Sequence, residues 1–410
     1  MNILYINHYA GSIYHGMEYR PYYLSREWVK SGHNVTIFAS NLSHIRQKNI
    51  DIPRNKNYTQ ENIDGIEYVW FKTSNYQENG IKRVINIASF INKVWNLHEE
   101  FTLKSKPDIV IASSTYPFDT LVAKEIARKY NAKFVYEVHD LWPLTPIEVG
   151  GMSKWHPFIM AMQWAENYGY RNADKVVSLL PKADQYMREH GMSADKFVYI
   201  SNGVAVDDWL NNSQSLDASI YNKITQIKNG GKFILGYAGG MGESNALTCL
   251  LQAMKQLSDK PIALVLAGDG ALRNELEQYA KSNNLNNIYF VGSILKLQIP
   301  SFLKMCDGLY IGWNKLPIYR FGICPNKLFD YMLSCKPIIH SVNAGNDLVK
   351  ESNCGLSIDA ENVNQIADAI TKLSQTPQNE LDNLAKNGFE FVQKHHDYKH
   401  LASRFLTECI

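Results

Sequence analysis

Residues 2–7 read NILYIN, and residues 34–39 read NVTIFA. Both runs are short and rich in large apolar side chains, which is typical of strands buried on both faces of a parallel sheet. Between them, Tyr22, Leu24 and Trp28 recur at helical spacing, and Gly32 follows where a helix would end. The stretch therefore predicts a strand–helix–strand unit, the repeating element of an α/β fold.

The same alternation continues outward along the chain. Further strands are predicted over residues 65–71, 108–112, 133–138, 175–178 and 197–200. A polar break over 203–230 follows, and the pattern then restarts with strands over 233–237, 262–267, 287–291, 308–311, 337–341 and 356–358. We expect two Rossmann-like domains, residues 1–203 and 204–385, and a C-terminal helix over 386–410 that returns to the first domain. Ligands of such sheets lie at the carboxyl ends of the strands, so the two domains are expected to face each other across a cleft.

Composition excludes several classes of protein. The 410 residues carry a net charge of only +2, whereas a nucleic-acid partner would call for a strongly basic surface. The six cysteines all follow residue 248 and form no C-x-x-C pair, which argues against a disulfide framework or a zinc site and favours a reducing compartment. No signal peptide and no apolar run of membrane-spanning length is visible, so we expect a cytoplasmic protein.

Residues 320–337, RFGICPNKLFDYMLSCKP, are the richest in chemistry. Pro325 suits the start of a helix, and Lys327, Asp330 and Tyr331 would share one helical face. A helix N-terminus attracts anions, and Lys327 adds a full positive charge for a diphosphate. Asp330 can accept hydrogen bonds from ribose hydroxyls. The alternative is an ordinary Lys/Asp pair on the surface of a core helix.

Glycine-rich turns follow several predicted strands. Residues 237–243 read YAGGMGE, with Gly239 and Gly240 placed as a diphosphate loop would require. Gly268, within LAGDG at 266–270, and Gly292 follow the next two strands; both also suit plain tight turns. In the first domain, the loop after the first strand carries Gly11 and Gly16 and leads to Arg20.

A histidine is predicted at the carboxyl end of a first-domain strand. Residues 135–143 read VYEVHDLWP, which places His139 just beyond the strand and Asp140 after it. Asp140 would orient His139 or cap the next turn, and Glu137 on the strand itself is a weaker candidate. The alternative is a histidine whose hydrogen bonds are satisfied within the core.

These segments resemble the family-4 retaining glycosyltransferases, which adopt the two-domain GT-B fold. In that family two acidic residues are separated by seven positions; Asp330 matches the second, which binds the donor ribose, whereas the first falls on Gly322. The basic residues that normally follow the glycine loop are also absent before Lys255, which leaves Lys327 and Arg273 for the diphosphate. The form F-G-x-x-P-N-K-L-F-D-Y-M resembles a branch acting in O-antigen and capsule synthesis, including L-fucosamine (UDP-FucNAc) transferases.

The resemblance implies a set of site residues. It assigns catalytic roles to His139, Asp140 and Lys327. It assigns binding of the acceptor to Gly11, Gly16 and Arg20, with Arg20 contacting an acceptor diphosphate. The residues expected to contact the donor are Gly322, Ile323, Cys324, Asn326, Asp330, Gly239, Gly240, Gly268 and Gly292. The backbone amides of residues 322–324 are expected to replace the missing acid.

The resemblance also implies the partners. They are a nucleotide-sugar donor, with uracil as the expected base, and a polyprenyl-diphosphate-linked glycan acceptor at the inner face of a membrane. Residues 82–97 and 152–164 combine apolar and basic side chains suited to a lipid interface. The sequence lacks a D-x-D pair, so we expect no metal and no cofactor. Two alternatives stay open, a sugar-nucleotide epimerase and a catalytically silent nucleotide-sugar-binding subunit.

Overall fold

The computed structural model describes residues 1–44, 46, 48–76 and 80–410. The chain divides into two compact units: unit 1 comprises Met1–Asn202 with Tyr398–Ile410, and unit 2 comprises Gly203–Asp397. The segment that returns to unit 1 therefore begins at Tyr398, twelve residues later than the 386 expected from the sequence.

Unit 1 is built on a sheet whose strand order is β3-β4-β2-β1-β5-β6-β7-β8. Its strands within the described residues are β1 Asn2–Ile6, β2 Asn34–Ser40, β3 Tyr58–Ile63, β4 Ile66–Phe71, β5 Ile109–Ala112, β6 Lys133–Val138, β7 Lys175–Ser178 and β8 Phe197–Tyr199. Strand β3 is antiparallel to β4, and the other neighbouring pairs are parallel. Strand β3 was not predicted, because YTQENI is a largely exposed edge strand without an apolar face.

Helices cover the parallel strands of unit 1. They are α1 Arg20–Lys30, α2 Ile81–Leu97, α3 Glu99–Thr102, α4 Asp119–Tyr130, α5 Leu144–Glu148, α6 Pro157–Asn172 and α7 Asp184–Glu189. A 3₁₀ turn at Ala194–Lys196 precedes β8. Helix α1 begins near Pro21, where a residue without a backbone N–H costs the helix no hydrogen bond.

Unit 2 contains a second, wholly parallel sheet with strand order β11-β10-β9-β12-β13-β14. Its strands are β9 Phe233–Ala238, β10 Ile262–Ala267, β11 Ile288–Gly292, β12 Gly308–Gly312, β13 Ile338–Ser341 and β14 Gly355–Ile358. Its helices are α8 Val206–Asn211, α9 Ala218–Asn229, α10 Leu247–Gln256, α11 Arg273–Ser282, α12 Ile299–Met305, α13 Asn326–Leu333, α14 Leu348–Ser352, α15 Val363–Gln375 and α16 Gln378–His395. Short 3₁₀ turns lie at Glu243–Asn245, Lys296–Gln298 and Pro317–Phe321.

The last helix, α17 (Tyr398–Cys409), packs on α1 within unit 1. Trp28 donates its indole N–H to the Ala402 carbonyl oxygen at 2.9 Å, and the Trp28 ring meets Phe405 edge to face. Tyr23 stacks on Tyr398 with ring centroids 5.0 Å apart. Because α16 remains in unit 2, only α17 makes this return.

The strand order reverses direction along the chain at β1/β5 in unit 1 and at β9/β12 in unit 2. At such a switch point, neighbouring crossovers leave in opposite directions and open a crevice at the carboxyl ends of the strands. The functional side chains considered below lie at these two edges.

Candidate nucleotide-sugar site

Lys327 lies in the first turn of α13 and reaches the carboxyl end of β9. Its Nζ donates to the Tyr237 hydroxyl at 3.0 Å and to Asn245 Oδ1 at 2.5 Å. Burial lowers the pKa of Lys327 to about 8, and no carboxylate of the described residues forms an ion pair with it. A half-buried ammonium paired only with neutral oxygens is a strong attractor for an anion.

The glycine loops after β9 and β10 pack tightly against this lysine and against each other. Gly239 has φ of 156°, and a Cβ there would lie 3.0 Å from Lys327 Nζ. Gly268 has φ of 138°, and a Cβ there would lie 2.0 Å from the Gly239 carbonyl oxygen. Neither position accepts a side chain, so bare backbone faces Lys327.

Two further predicted glycines complete this edge of the sheet. The Gly240 carbonyl oxygen accepts the Tyr237 hydroxyl at 2.5 Å, and the Gly292 carbonyl oxygen accepts the Gly268 N–H at 2.8 Å. The structure thus brings four of the five glycines predicted for the donor to the ends of three adjacent strands. Arg273, which was also expected to bind the diphosphate, forms ion pairs with Asp269 and Glu277 instead of contacting these loops.

Asp330 and Tyr331 occupy the next turn of α13. Burial raises the pKa of Asp330 to about 6, and the Lys296 ammonium lowers it in part. Tyr331 is buried and exchanges hydrogen bonds with the N–H and the carbonyl oxygen of Ala238, which ties α13 to β9. Tyr331 thus anchors the helix, whereas the half-buried Asp330 carboxyl is placed to accept hydrogen bonds.

The expectation for Gly322 and Ile323 is corrected by the structure. The Gly322 N–H donates to the Tyr319 carbonyl oxygen at 2.9 Å, and the Ile323 N–H donates to Asn346 Oδ1 at 2.8 Å. Asn346 also donates to the Ile323 carbonyl oxygen at 3.1 Å. These amides are therefore occupied and do not replace the missing acid at a sugar.

Gly322 also has a conformational reason to be glycine. Its φ of 112° lies in a region that side-chain-bearing residues rarely adopt, so an acidic residue here would strain this backbone. Of the other residues predicted for the sugar, Cys324 is half-buried in the loop before α13, and Asn326 is exposed at the first position of that helix.

In unit 1, His139 follows β6 and is held through a single ring nitrogen. Its Nε2 lies 2.8 Å from Ser113 Oγ and 3.2 Å from Glu137 Oε2. Burial would raise the pKa of Glu137, but Arg20 and the hydrogen bonds from His139 and Tyr5 hold it well below its usual range, so Glu137 is anionic. Nε2 therefore carries a proton, and Nδ1 is the ring nitrogen for which the described residues provide no hydrogen-bond partner.

The pKa of His139 follows from the same contacts. Burial would lower this pKa, but the hydrogen bond and charge of Glu137 raise it overall. Asp140, predicted to orient His139, is exposed and makes no hydrogen bond to His139 in the described part of the chain. The orienting carboxylate is Glu137, which sequence reasoning ranked as the weaker candidate.

Arg20 is not available to an acceptor, contrary to the expectation. It is 1% exposed, and its Nε donates to Glu137 Oε1 at 2.9 Å. Its two terminal nitrogens donate to the carbonyl oxygens of Ser201 at 2.5 Å and Ile200 at 3.1 Å. Arg20 on α1 thus forms a buried ion pair with Glu137 on β6 and also binds the backbone of residues 200–201.

The predicted acceptor glycines are also occupied. The Gly11 N–H donates to the Glu18 carbonyl oxygen, and the Gly16 N–H donates to the Ser12 carbonyl oxygen, both at 2.8 Å. A Cβ on Gly11 would lie 1.9 Å from the Gly16 carbonyl oxygen. These glycines let the loop close on itself, which leaves their amides no part in binding a phosphate.

Both halves of the chain match families of known proteins. Residues 15–203 match the glycosyl transferase 4-like domain, and residues 232–376 match the glycosyl transferases group 1 family. The chain belongs to the glycosyltransferases of the GT-B type. The two matched domains correspond to the two units of the structure.

Individual relatives of this glycosyltransferase are distant. It is 22% identical over 234 residues to the putative colanic acid biosynthesis glycosyl transferase WcaI of Escherichia coli K12. That alignment covers 56% of each protein, so the chain spans about half the length of this curated relative.

Solved structures share the fold over nearly the whole chain. Sucrose-phosphate synthase of Thermosynechococcus elongatus superposes with a TM-score of 0.71 at 17% identity, covering 99% of this chain and 97% of that one. Anabaena HepE, in complex with UDP, superposes with a TM-score of 0.68 at 14% identity and covers 99% of each chain. Identities this low establish the two-domain α/β fold alone.

Proposed function

We propose that this glycosyltransferase moves a sugar from a UDP-linked donor to a lipid-diphosphate-linked glycan, with retention of anomeric configuration and without a metal. The reaction would serve the synthesis of a surface polysaccharide such as O-antigen or capsule, and L-FucNAc is the first donor sugar to test. The observation that carries the proposal is Lys327. Among the described residues its ammonium has only neutral hydrogen-bond partners, and it faces the side-chain-free loops at Gly239 and Gly268.

Unit 2 would bind the donor. The diphosphate would lie against Lys327 and the N-terminus of α13, where a helix presents unpaired N–H groups and a partial positive charge. Asp330, one turn along the helix, would accept hydrogen bonds from the ribose hydroxyls. Uracil as the base is supported by the fold shared with HepE, whose structure contains UDP.

The chemistry needs no carboxylate nucleophile. The bond between the anomeric carbon and the diphosphate oxygen breaks, and its electron pair leaves with the nucleoside diphosphate. The acceptor hydroxyl oxygen bonds to the anomeric carbon on the same face, and its proton passes to the departing diphosphate. Lys327 stabilises the negative charge that develops on the leaving group, which is the main contribution asked of the protein.

Unit 1 would bind the acceptor. The Nδ1 atom of His139 would form a hydrogen bond with a sugar hydroxyl and so orient it. Because Glu137 raises the pKa of His139, the protonated ring would donate this bond to the hydroxyl oxygen. The anionic Glu137 keeps the proton on Nε2, and Arg20 keeps Glu137 anionic. His139 therefore acts through hydrogen bonding, with the ring fixed from behind by Ser113 and Glu137.

Peripheral contact with a membrane is part of the proposal. Helices α2 and α6 both pack on α4. Apolar side chains are exposed on these helices, with Ile81 80% and Trp164 59% accessible, and Trp155 in the loop before α6 is 70% accessible. Lys82 and Lys154 adjoin these side chains, as expected of a surface that meets anionic lipid. In the described part of the chain, no helix is long and apolar enough to cross a membrane.

Vesicle flotation tests this contact. The wild type is expected to float with vesicles containing anionic lipid, and the Trp155→Ser/Trp164→Ser variant to float less. Leu295→Ser serves as the matched control, because Leu295 is an equally exposed apolar residue in unit 2. A wild type that never floats would remove the membrane from the proposal.

Two other functions predict different products. A sugar-nucleotide epimerase would alter the donor sugar without an acceptor, and a silent subunit would bind the donor and leave it unchanged; Gly322, where the family has an acid, favours the latter. We would incubate UDP-FucNAc isomers, UDP-GlcNAc and GDP-fucose in EDTA, with and without a lipid-diphosphate glycan. Release of nucleoside diphosphate only with acceptor supports transfer, whereas isomerised or unchanged donor supports the respective rival.

A further inference from the structure

The Lys327 ammonium has one N–H for which the described part of the chain provides no acceptor. An ammonium can donate three hydrogen bonds, and two of them go to the Tyr237 hydroxyl and to Asn245 Oδ1. A nucleoside diphosphate carries several charged phosphate oxygens that each accept hydrogen bonds. One remaining N–H cannot satisfy these oxygens, so the proposed ligand needs donors from other residues.

Asn245 offers such donors directly beside the lysine. Its Oδ1 accepts from Lys327 Nζ at 2.5 Å, whereas its Nδ2 forms a hydrogen bond with no described residue. The two amide atoms share one carbon, so Nδ2 lies next to the ammonium whichever way the amide is turned. The side chain is half-buried and therefore open to a ligand. An oxygen that accepts the third N–H of Lys327 is thus close to the N–H groups of Asn245.

A second lysine–asparagine pair in unit 2 shows what a purely structural pair looks like. Asn283 accepts from Lys255 Nζ at 2.8 Å and donates its own amide N–H to the Tyr279 carbonyl oxygen at 2.9 Å. Both ends of that amide are used within the protein. In the Lys327–Asn245 pair only the acceptor end is used by the residues that the structure describes, which leaves the donor end for a ligand.

The chain places Asn245 just before the N-terminus of a helix. The residue ends the 3₁₀ turn Glu243–Asn245, and α10 begins two positions later at Leu247. Lys327 lies in the first turn of α13, and neither α10 nor α13 has a side-chain cap from the described residues. The contact between Asn245 and Lys327 therefore brings the positive ends of two helix dipoles together, which favours an anion at this point.

We propose that Asn245 binds the donor diphosphate directly, by donating its amide N–H groups to phosphate oxygens beside Lys327. The lysine supplies the charge, and the asparagine supplies neutral donors that orient the diphosphate against the glycine loops. Because Asn245 also accepts from Lys327, the ammonium is held in place before the ligand binds, which lowers the ordering cost of binding. The inference rests on the proposed function, since it adds a second side chain to the donor site that Lys327 defines.

Titration calorimetry of the whole chain with UDP tests this contact. Asn245→Ala is expected to raise the dissociation constant for UDP by about tenfold or more, through the loss of hydrogen bonds to a charged group, with an unchanged melting temperature. Asn245→Ser, which keeps a polar side chain in the turn, is a second variant and should show a similar loss. Asn283→Ala, at the end of α11, is the matched control because it also removes an asparagine that accepts from a lysine, and it should bind UDP as the wild type does.

A double variant separates direct binding by Asn245 from an effect that acts only through Lys327. If the asparagine did no more than hold the lysine, Asn245→Ala would not change UDP affinity in a Lys327→Met background, where no ammonium is left to hold. A direct contact with phosphate predicts that Asn245→Ala weakens UDP binding in that background as well. Uridine, which carries no phosphate, should bind Asn245→Ala and the wild type with equal affinity.

The outcomes separate this inference from the proposed function. UDP affinity that is unchanged in Asn245→Ala overturns the inference, and so does a loss that disappears in the Lys327→Met background. If Asn245→Ala weakens UDP binding in both backgrounds yet the wild type transfers no sugar, the inference stands and the proposed function fails. If the wild type transfers sugar and Asn245→Ala keeps the wild-type KM for the donor, the inference fails and the function stands.

Discussion

The Lys327 ammonium and the Tyr237 hydroxyl, 90 positions apart in the chain, lie 3.0 Å from each other at the carboxyl end of β9. The hydroxyl in turn donates to the Gly240 carbonyl oxygen, so the lysine, the tyrosine and the glycine loop form one connected unit. A cation in this position, held by neutral oxygens and facing bare backbone, is arranged for a diphosphate.

Removing the Lys327 charge should abolish most catalysis without weakening the fold. Lys327→Met is expected to lower kcat by about 10²-fold or more, as loss of one charge-stabilising donor does in other enzymes. Its melting temperature should equal or exceed that of the wild type, because a half-buried charge is replaced by an apolar side chain. Steady-state kinetics and calorimetry check both. Lys255→Met, on the exposed face of α10, should change neither quantity.

Affinity for UDP should depend on pH through two groups of unit 2. Lys327 is protonated below about pH 8, where burial has placed its pKa, so affinity should fall as pH rises through 8. Asp330, with a pKa raised to about 6, is ionised above that value, so affinity should also fall as pH drops through 6. Titration calorimetry across this range measures both limbs.

Comparing each variant with the wild type assigns the two limbs to residues, because the titration of UDP itself affects both proteins equally. Lys327→Arg should move the basic limb upward, because a guanidinium stays charged, and Asp330→Asn should remove the protein's part of the acidic limb. A basic limb that stays at pH 8 in Lys327→Arg would mean that another group controls it.

Arg20 should prove to be structural. Arg20→Met leaves the buried Glu137 charge unpaired, so it is expected to cost about 3–5 kcal/mol in the free energy of unfolding, measured in urea. The double variant Arg20→Met/Glu137→Gln should recover part of that loss. A single variant of wild-type stability with a raised KM for the acceptor would instead return Arg20 to the acceptor site.

The two hydrogen bonds between the Asn346 side chain and the Ile323 backbone should affect binding of the donor. Asn346→Ala releases both the N–H and the carbonyl oxygen of Ile323, so the loop before α13 is expected to loosen and the KM for the donor to rise by about tenfold, the equivalent of two net hydrogen bonds. Asn343→Ala is the matched control, because this neighbour contacts Asp359 and Ala360 and not Ile323. Equal KM values for the donor in Asn346→Ala and Asn343→Ala would show that the hydrogen bonds to Ile323 do not affect donor binding.

Local patterns predicted the elements of this fold well. The strands at residues 133–138 and 175–178 begin and end where the apolar runs do, because buried parallel strands are marked by composition alone. Strand β3 escaped prediction since its edge position demands no apolar face. The return at Tyr398 rather than at 386 depends on where α16 and α17 pack, which a helical pattern does not encode.

The relative positions of site residues could be predicted only where the residues lie on the same helix or strand. Lys327 and Asp330 share α13, so their spacing predicted that they lie one helical turn apart. Tyr237 and Asn245, which hold the lysine, and Glu137, which holds both Arg20 and His139, act through contacts between segments distant in sequence. The occupied amides of Gly322 and Ile323 depend likewise on Asn346 and on a 3₁₀ turn that no motif revealed.

The most direct test of the account is mass spectrometry of a lipid-diphosphate-linked glycan incubated in EDTA with UDP-sugars and either the wild type or Lys327→Met. The account predicts that the wild type adds one sugar to the acceptor and releases UDP, and that Lys327→Met does so at least about 10²-fold more slowly. Transfer at the wild-type rate by Lys327→Met, or UDP-sugar bound by the wild type with no gain in acceptor mass, would contradict it.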